Sequence, residues 1–138
     1  MKKGLKYTSI LLSILIVTSI VYAGVTLQYF TAKSHDEGIL VEWKTMDESS
    51  AVKFELERSA ESSDNFIYVA TINATGNNSY YSYQDNSVDV LNGNSSLYRY
   101  RLKCFHSNGD QTYTQSISVI HAVSGIRSTW GSIKAIFR

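Results

Sequence analysis

The sequence predicts an all-β protein, an antiparallel sandwich of seven strands. Three features lead there. Apolar and polar residues alternate with a period of two in one short segment after another. Polar turns separate these segments at intervals of roughly 8 to 12 residues. Between residues 25 and 120 no segment carries the helical period, and none is long enough for a parallel crossover. The alternation is cleanest from Leu97 to Phe105. There Tyr98, Tyr100, Leu102 and Cys104 fall on one side of an extended strand, and Arg99, Arg101 and Lys103 on the other. One face of that strand needs a core, and the other needs water or an acidic partner. A lone strand cannot bury one face, so the remaining segments must supply a second apolar layer.

Taken in order, Val25, Leu27 and Tyr29 alternate with Thr26, Gln28 and Phe30 in a first strand rich in β-formers, closed by the polar turn Ser34 to Gly38. The pattern restarts at Ile39, with Ile39, Val41 and Trp43 on one face and Leu40, Glu42 and Lys44 on the other. Trp43 is the largest packing element offered to the core. Val52, Phe54 and Leu56 then share a face, opposite Lys53, Glu55 and Glu57. After a polar connection from Ser59 to Asn65, Phe66 to Ile72 forms a strand with two apolar faces. Asn73 to Asn78 is a loop whose Gly and Asn residues tolerate backbone conformations that others resist. Tyr81 and Tyr83 alternate with Ser82 and Gln84, and Asp85 to Ser96 is the longest irregular connection. The Leu97 to Phe105 strand follows, then an Asn108-Gly109 hairpin signal, then a last strand from Tyr113 to Ile120.

The two ends of the chain read differently. Lys2, Lys3 and Lys6 precede an apolar run from about Ile10 to Val21, and Val21-Tyr22-Ala23 resembles a signal-peptidase site, which predicts a cleavable signal peptide over residues 1–23. That run is roughly 12 to 14 residues against the ~20 that span a bilayer, so no retained membrane span is expected. Export follows, with the mature protein in the periplasm, at the cell surface or outside the cell. The predicted domain covers residues 24–122. Residues 123–138 form a short amphipathic C-terminal tail, in which Trp130, Ile133 and Phe137 share one side of a helical turn and Arg138 ends the chain. This tail is either a packing element or a sorting or docking signal.

Cleavage removes three of 13 basic residues and leaves ten against 12 acidic ones, a net charge of −2. That balance excludes a general binder of nucleic acid, which needs a concentrated basic footprint. The single cysteine, Cys104, makes no intrachain disulfide and alternates in phase with Tyr100 and Leu102, as a small buried hydrophobe does.

Trp43, Phe54 and Leu56, together with Tyr98-x-Tyr100-x-Leu102-x-Cys104, resemble the core pattern of a fibronectin type III domain. A closer likeness is to the variant in exported proteins of the Bacteroidetes and neighbouring phyla. It is carried by Trp43, Thr45 and Glu48; by Phe54, Glu57, Arg58 and Ser59; by Phe66, Val69, Ala70 and Ile72; by Tyr81, Ser82, Tyr83 and Asp85; and by Tyr100 to Lys103. The resemblance implies a seven-stranded fibronectin type III-like, immunoglobulin-like β-sandwich from about Val25 to Ile120. It implies Tyr98 at the tyrosine-corner position and Asp85 as the residue that ends its strand and caps the turn. It also implies a bacterial protein whose relatives stand beside catalytic modules, ahead of C-terminal sorting regions. The fold itself fixes no function.

No catalytic constellation, cofactor motif or metal-ligand spacing stands out, so a non-enzyme is expected, with no cofactor and no metal. His35, His106 and His121 sit in separate turns or strand ends and read as solvated. Asp85, Asn86 and Asp89 lack the spacing of a calcium loop. Of the ten tyrosines, Tyr29, Tyr81, Tyr83, Tyr98 and Tyr100 are in phase with the core and Tyr7 and Tyr22 precede the cleavage point, which leaves Tyr68, Tyr80 and Tyr113 as a candidate ligand surface. Arg99, Arg101 and Lys103 face Glu55 and Glu57 as cross-strand ion pairs. The expected role is a non-catalytic interaction or structural module that binds an envelope or extracellular protein; the alternative is a carbohydrate-binding module, with a glycan as partner.

Overall fold

The computed structural model describes residues 24–61, 63–88 and 95–122. The expected signal peptide over residues 1–23 and the tail with Trp130, Ile133, Phe137 and Arg138 lie outside them. The described residues form eight strands: β1 (Thr26–His35), β2 (Gly38–Asp47), β3 (Ala51–Ala60), β4 (Ile67–Asn73), β5 (Tyr80–Asp85), β6 (Ser95–His106), β7 (Gln111–Tyr113) and β8 (Ile117–Ala122). All pair antiparallel, in a three-stranded sheet of order β1-β2-β5 and a five-stranded sheet in which β4-β3-β6-β7 is extended by β8 pairing with β6. The eighth strand arises where the expected seventh is broken in two. At the break Thr114 Oγ1 accepts from Leu102 N at 3.0 Å and Thr114 N donates to Leu102 O at 3.0 Å, so the side chain replaces part of the ladder.

The core lies between the sheets, where the alternation places it. Ile39, Val41 and Trp43 of β2 meet Phe54 and Leu56 of β3 and Tyr100, Leu102 and Cys104 of β6, all at most 1% exposed. Trp43 stacks on Tyr81 with ring centroids 5.2 Å apart, and Phe30 and Phe54 pack edge-on against it at 6.5 and 6.2 Å. Offset stacking and edge-to-face contacts both suit the charge distribution of the rings.

Two expected core positions are turned out, each by a β-bulge. The register of β1 against β2 slips at Gln28, so Phe30 and Ala32 pack inward and Tyr29 becomes 38% exposed. The register of β3 against β6 slips between Ala51 and Lys53, which leaves Val52 55% exposed while Ala51 packs on the core. An extra residue inverts the phase of everything beyond it, which strict alternation does not anticipate.

Polar ties join the layers. At one end Asp85, 1% exposed, closes β5. Its Oδ1 accepts from Ser87 N and Ser87 Oγ at 3.0 and 2.7 Å, the turn cap that the resemblance implies. Its Oδ2 accepts from Arg58 Nη1 of β3 at 2.6 Å and from the Tyr100 hydroxyl of β6 at 2.8 Å. At the other end Glu48, 2% exposed, follows β2. Its Oε1 accepts from Thr75 N at 3.0 Å, from Gly76 N, and from the Tyr81 hydroxyl at 2.7 Å. The loop this carboxylate organises carries Gly76 and Asn78 at φ 116° and 60°.

Two of the three histidines, expected to be solvated, are buried. His106 is 7% exposed, with Nδ1 2.9 Å from Ser50 Oγ and Nε2 2.8 Å from Thr112 Oγ1. His121 is 3% exposed, with Nδ1 3.0 Å from Ser34 Oγ, a contact that links β8 to β1. Both have hydroxyl partners distant in sequence, which spacing along the chain does not reveal.

Candidate functional site

The antiparallel register assembles a mixed aromatic and charged surface on the outer face of the five-stranded sheet. Residues directly opposite one another share a face, so the pairing defines three rows across the strands. The first is Tyr68, Glu57 and Arg101; the second Thr71, Glu55, Lys103 and Tyr113; the third Asn73, Lys53, Phe105 and Gln111. Arg99 lies beyond the first row, and Phe66, just ahead of β4, brings its ring beneath the arginines.

Cations and rings alternate closely here. The Arg101 guanidinium lies 4.0 Å from the Phe66 centroid and 4.4 Å from that of Tyr113. Lys53 and Lys103 sit 4.2 and 4.9 Å from Phe105, and Lys103 is 5.9 Å from Tyr113. At these separations the ring quadrupole attracts the cation and holds the long side chain over the sheet.

The expected ion pairs form in part. Arg101 Nε donates to Glu57 Oε2 at 2.7 Å across the strands. Glu55, however, pairs with Lys53 of its own strand at 3.0 Å, and Arg99 with the loop residue Asp64 at 3.1 Å. Lys103 has no carboxylate partner among the described residues.

The face is also distinct in charge. From residue 24 to 122 the sequence holds seven basic and twelve acidic residues, a net of −5. Lys53, Arg99, Arg101 and Lys103 all project from this face beside only Glu55 and Glu57, giving it +2 and leaving −7 on the rest of that span.

Of the three candidate rings, the structure brings two together. Tyr68 and Tyr113, 61% and 52% exposed, stand on this face, on β4 and β7. Three strand spacings separate them, roughly 14 Å. Tyr80, 55% exposed, belongs to the other sheet, where its hydroxyl donates to Glu42. That bond, then the one from Lys33, holds the Glu42 carboxyl below its ordinary pKa, and the same contact raises Tyr80. Phe66 and Phe105 were missed as site residues. Phe105 follows Arg99, Arg101 and Lys103 at period two, so its side of the sheet was legible; the ring of Phe66 arrives through a loop and gave no such signal.

Other chemistry-bearing groups are committed to structure. Both oxygens of Asp85 are hydrogen-bonded, and burial pushes the Cys104 thiol up to about 11, above the range of reactive cysteines. Among the described residues no three His, Cys, Asp or Glu side chains gather as a metal site would require. Two open clefts lie away from the aromatic face, one of about 330 Å³ beside Arg58, Ile67 and Tyr98 and one of about 450 Å³ beside His35, Asp36 and Gln84.

No protein-family model matches the chain, and no curated protein matches it. Among solved structures it is similar to the pectate lyase PelI from Erwinia chrysanthemi, a structure in complex with tetragalacturonic acid. The match has a TM-score of 0.52 at 20% identity and covers 70% of this chain but 28% of the lyase chain. A likeness at this identity shows a shared all-β sandwich-like fold over that segment.

Proposed function

We propose that the chain is an exported, non-catalytic module of the cell envelope or extracellular space, that its sandwich is of the fibronectin type III kind, and that it works through the outer face of its larger sheet. One observation carries the reading. Four of the seven basic side chains between residues 24 and 122 share that face with four aromatic rings, on a domain that is otherwise strongly acidic. Exposed rings clustered on one face mark an interaction surface, and the cations among them draw in a partner of opposite charge. The commitment of both Asp85 oxygens to hydrogen bonds that hold the fold supports a binding role over a catalytic one.

Carbohydrate binding is the second reading. It is favoured by Tyr68 and Tyr113 standing on one flat face, where exposed rings can stack on sugar rings. The similar lyase structure holds an oligosaccharide, which is consistent with this second reading and adds no site to it.

Fractionation of cells carrying the tagged full chain, with cross-linking from the outer face, tests the first reading. Recovery in the envelope or medium with cross-links to an envelope protein at Lys53 or Lys103 is the expected result. Cytoplasmic recovery with no cross-links overturns it, and a glycan array without a hit overturns the second.

A further inference from the structure

We infer that the outer face of the five-stranded sheet binds a carboxylated polysaccharide, a polyuronate chain, with Lys103 and Tyr113 as its anchoring pair. The inference rests on the reading of this face as the contact surface and adds the chemical class of the ligand. Lys103 is the starting point. Its cross-strand neighbour Glu55 is taken by Lys53 at 3.0 Å, so its ammonium stands over Phe105 and Tyr113 without a carboxylate among the described residues. Arg101, two residues along the same strand and roughly 7 Å away, is held by Glu57 through Nε and lies 4.4 Å from the Tyr113 centroid. An incoming carboxylate therefore meets a cation with no carboxylate partner among the described residues and a guanidinium paired only through Nε, both within 6 Å of one exposed ring. That combination matches a ligand whose every unit carries an anion and an apolar ring face.

Charge density selects among polyanions. The face carries four cations and two glutamates, so its excess is small, and Glu55 and Glu57 repel a chain with several anions per unit. One carboxylate per sugar fits that balance better than dense sulfation does. The backbone argues against a peptide. The amides and carbonyls of β3 and β6 are consumed by ladders on both sides, so an extended peptide laid on this face finds no main-chain partners, whereas strand addition takes place at sheet edges. A sugar chain needs rings and cations, and Tyr68, roughly 14 Å beyond Tyr113, provides a further stacking position for an extended ligand.

Affinity electrophoresis of the full chain through gels containing alginate, a polyuronate, tests the inference. Dextran, dextran sulfate and a single-stranded oligonucleotide serve as comparison ligands. Retardation by alginate that weakens with salt, absent in dextran and weaker in dextran sulfate and the oligonucleotide, is expected. Lys103→Glu and Tyr113→Ala should each weaken alginate binding by about tenfold or more, while Lys44→Ala on the opposite sheet leaves it unchanged. Glu55→Gln should tighten binding severalfold, a gain that misfolding does not produce. Equal binding of dextran, stronger binding of dextran sulfate or the oligonucleotide, unchanged binding by the Lys103 and Tyr113 variants, or loss of monomer to self-association through this face would each overturn the inference. So would failure of alginate when an envelope protein cross-links at Lys103, although that outcome leaves the module reading standing.

Discussion

Asp85 shows what one buried side chain contributes and when. Burial alone would raise its proton affinity, but the hydrogen bonds from Ser87, Arg58 and Tyr100 outweigh that penalty and hold its pKa below the ordinary carboxylate value. Burial, then the nearby carboxylate, pushes the Tyr100 hydroxyl far up, so it remains a donor at any physiological pH. Because the folded pKa of Asp85 is depressed, its stabilisation is present above the unfolded value of about 4 and disappears as pH falls through the folded one. Asp85→Asn should therefore cost on the order of 3 kcal/mol at pH 7, since it leaves the Arg58 charge uncompensated. Urea unfolding of both proteins at pH 7 and pH 3 checks this: the gap should narrow in acid, and a gap independent of pH would refute the assignment. The strand-ending role of Asp85 was legible only through the resemblance to the fibronectin type III-like pattern. Its partners were not, because Arg58 and Tyr100 lie 27 and 15 residues away and meet it only once two sheets are stacked.

At the scale of elements, period two located the strands but not their slips. Ile39, Val41 and Trp43 were read correctly because β2 is paired on both sides without irregularity over these residues. Tyr29 and Val52 were not, because a bulge depends on what the partner strand does, and a single strand's alternation holds no record of that. Turn chemistry was read better. Asn108-Gly109 does join β6 to β7, with Gly109 at φ 89° and its N–H donating to His106 O at 3.0 Å. Gly38, which opens β2, was not singled out. It sits at φ 143°, and a Cβ there would collide with the Asp85 carbonyl. Gly38→Ala should accordingly lower stability by about 2 kcal/mol or more, combining backbone strain with displacement of the capped end of β5. Thermal unfolding compared with Gly109→Ala, where a Cβ meets open space and only the backbone penalty applies, separates the two effects. An equal loss in both variants would discount the close approach.

Over the whole molecule, the sandwich was legible because burial on one face is a property of each strand separately. The proposed contact surface was only half legible. Arg99, Arg101 and Lys103 are visible as a stripe in the sequence that Phe105 continues, but Tyr68 and Tyr113 join them only through register and Phe66 through a loop. Removing Glu48 probes the molecule at this scale. Glu48→Ala leaves Gly76 N without its acceptor, takes the carboxylate from the Tyr81 hydroxyl and removes one of the two acceptors of Thr75 N, which keeps the Tyr81 hydroxyl at 2.8 Å; the loss should cost on the order of 3 kcal/mol. Hydrogen exchange should show the loss of protection centred on residues 74–79 and the neighbouring end of β5; protection unchanged there would refute the role given to this carboxylate.

The Asp85 and Glu48 ties stand near opposite ends of β2, roughly 30 Å apart along the strand. The first fastens β5 to β3 and β6 across the layers, and the second fixes the loop by which the chain itself passes from β4 of one sheet to β5 of the other. Sliding of the layers past each other is thus resisted at both ends of the sandwich.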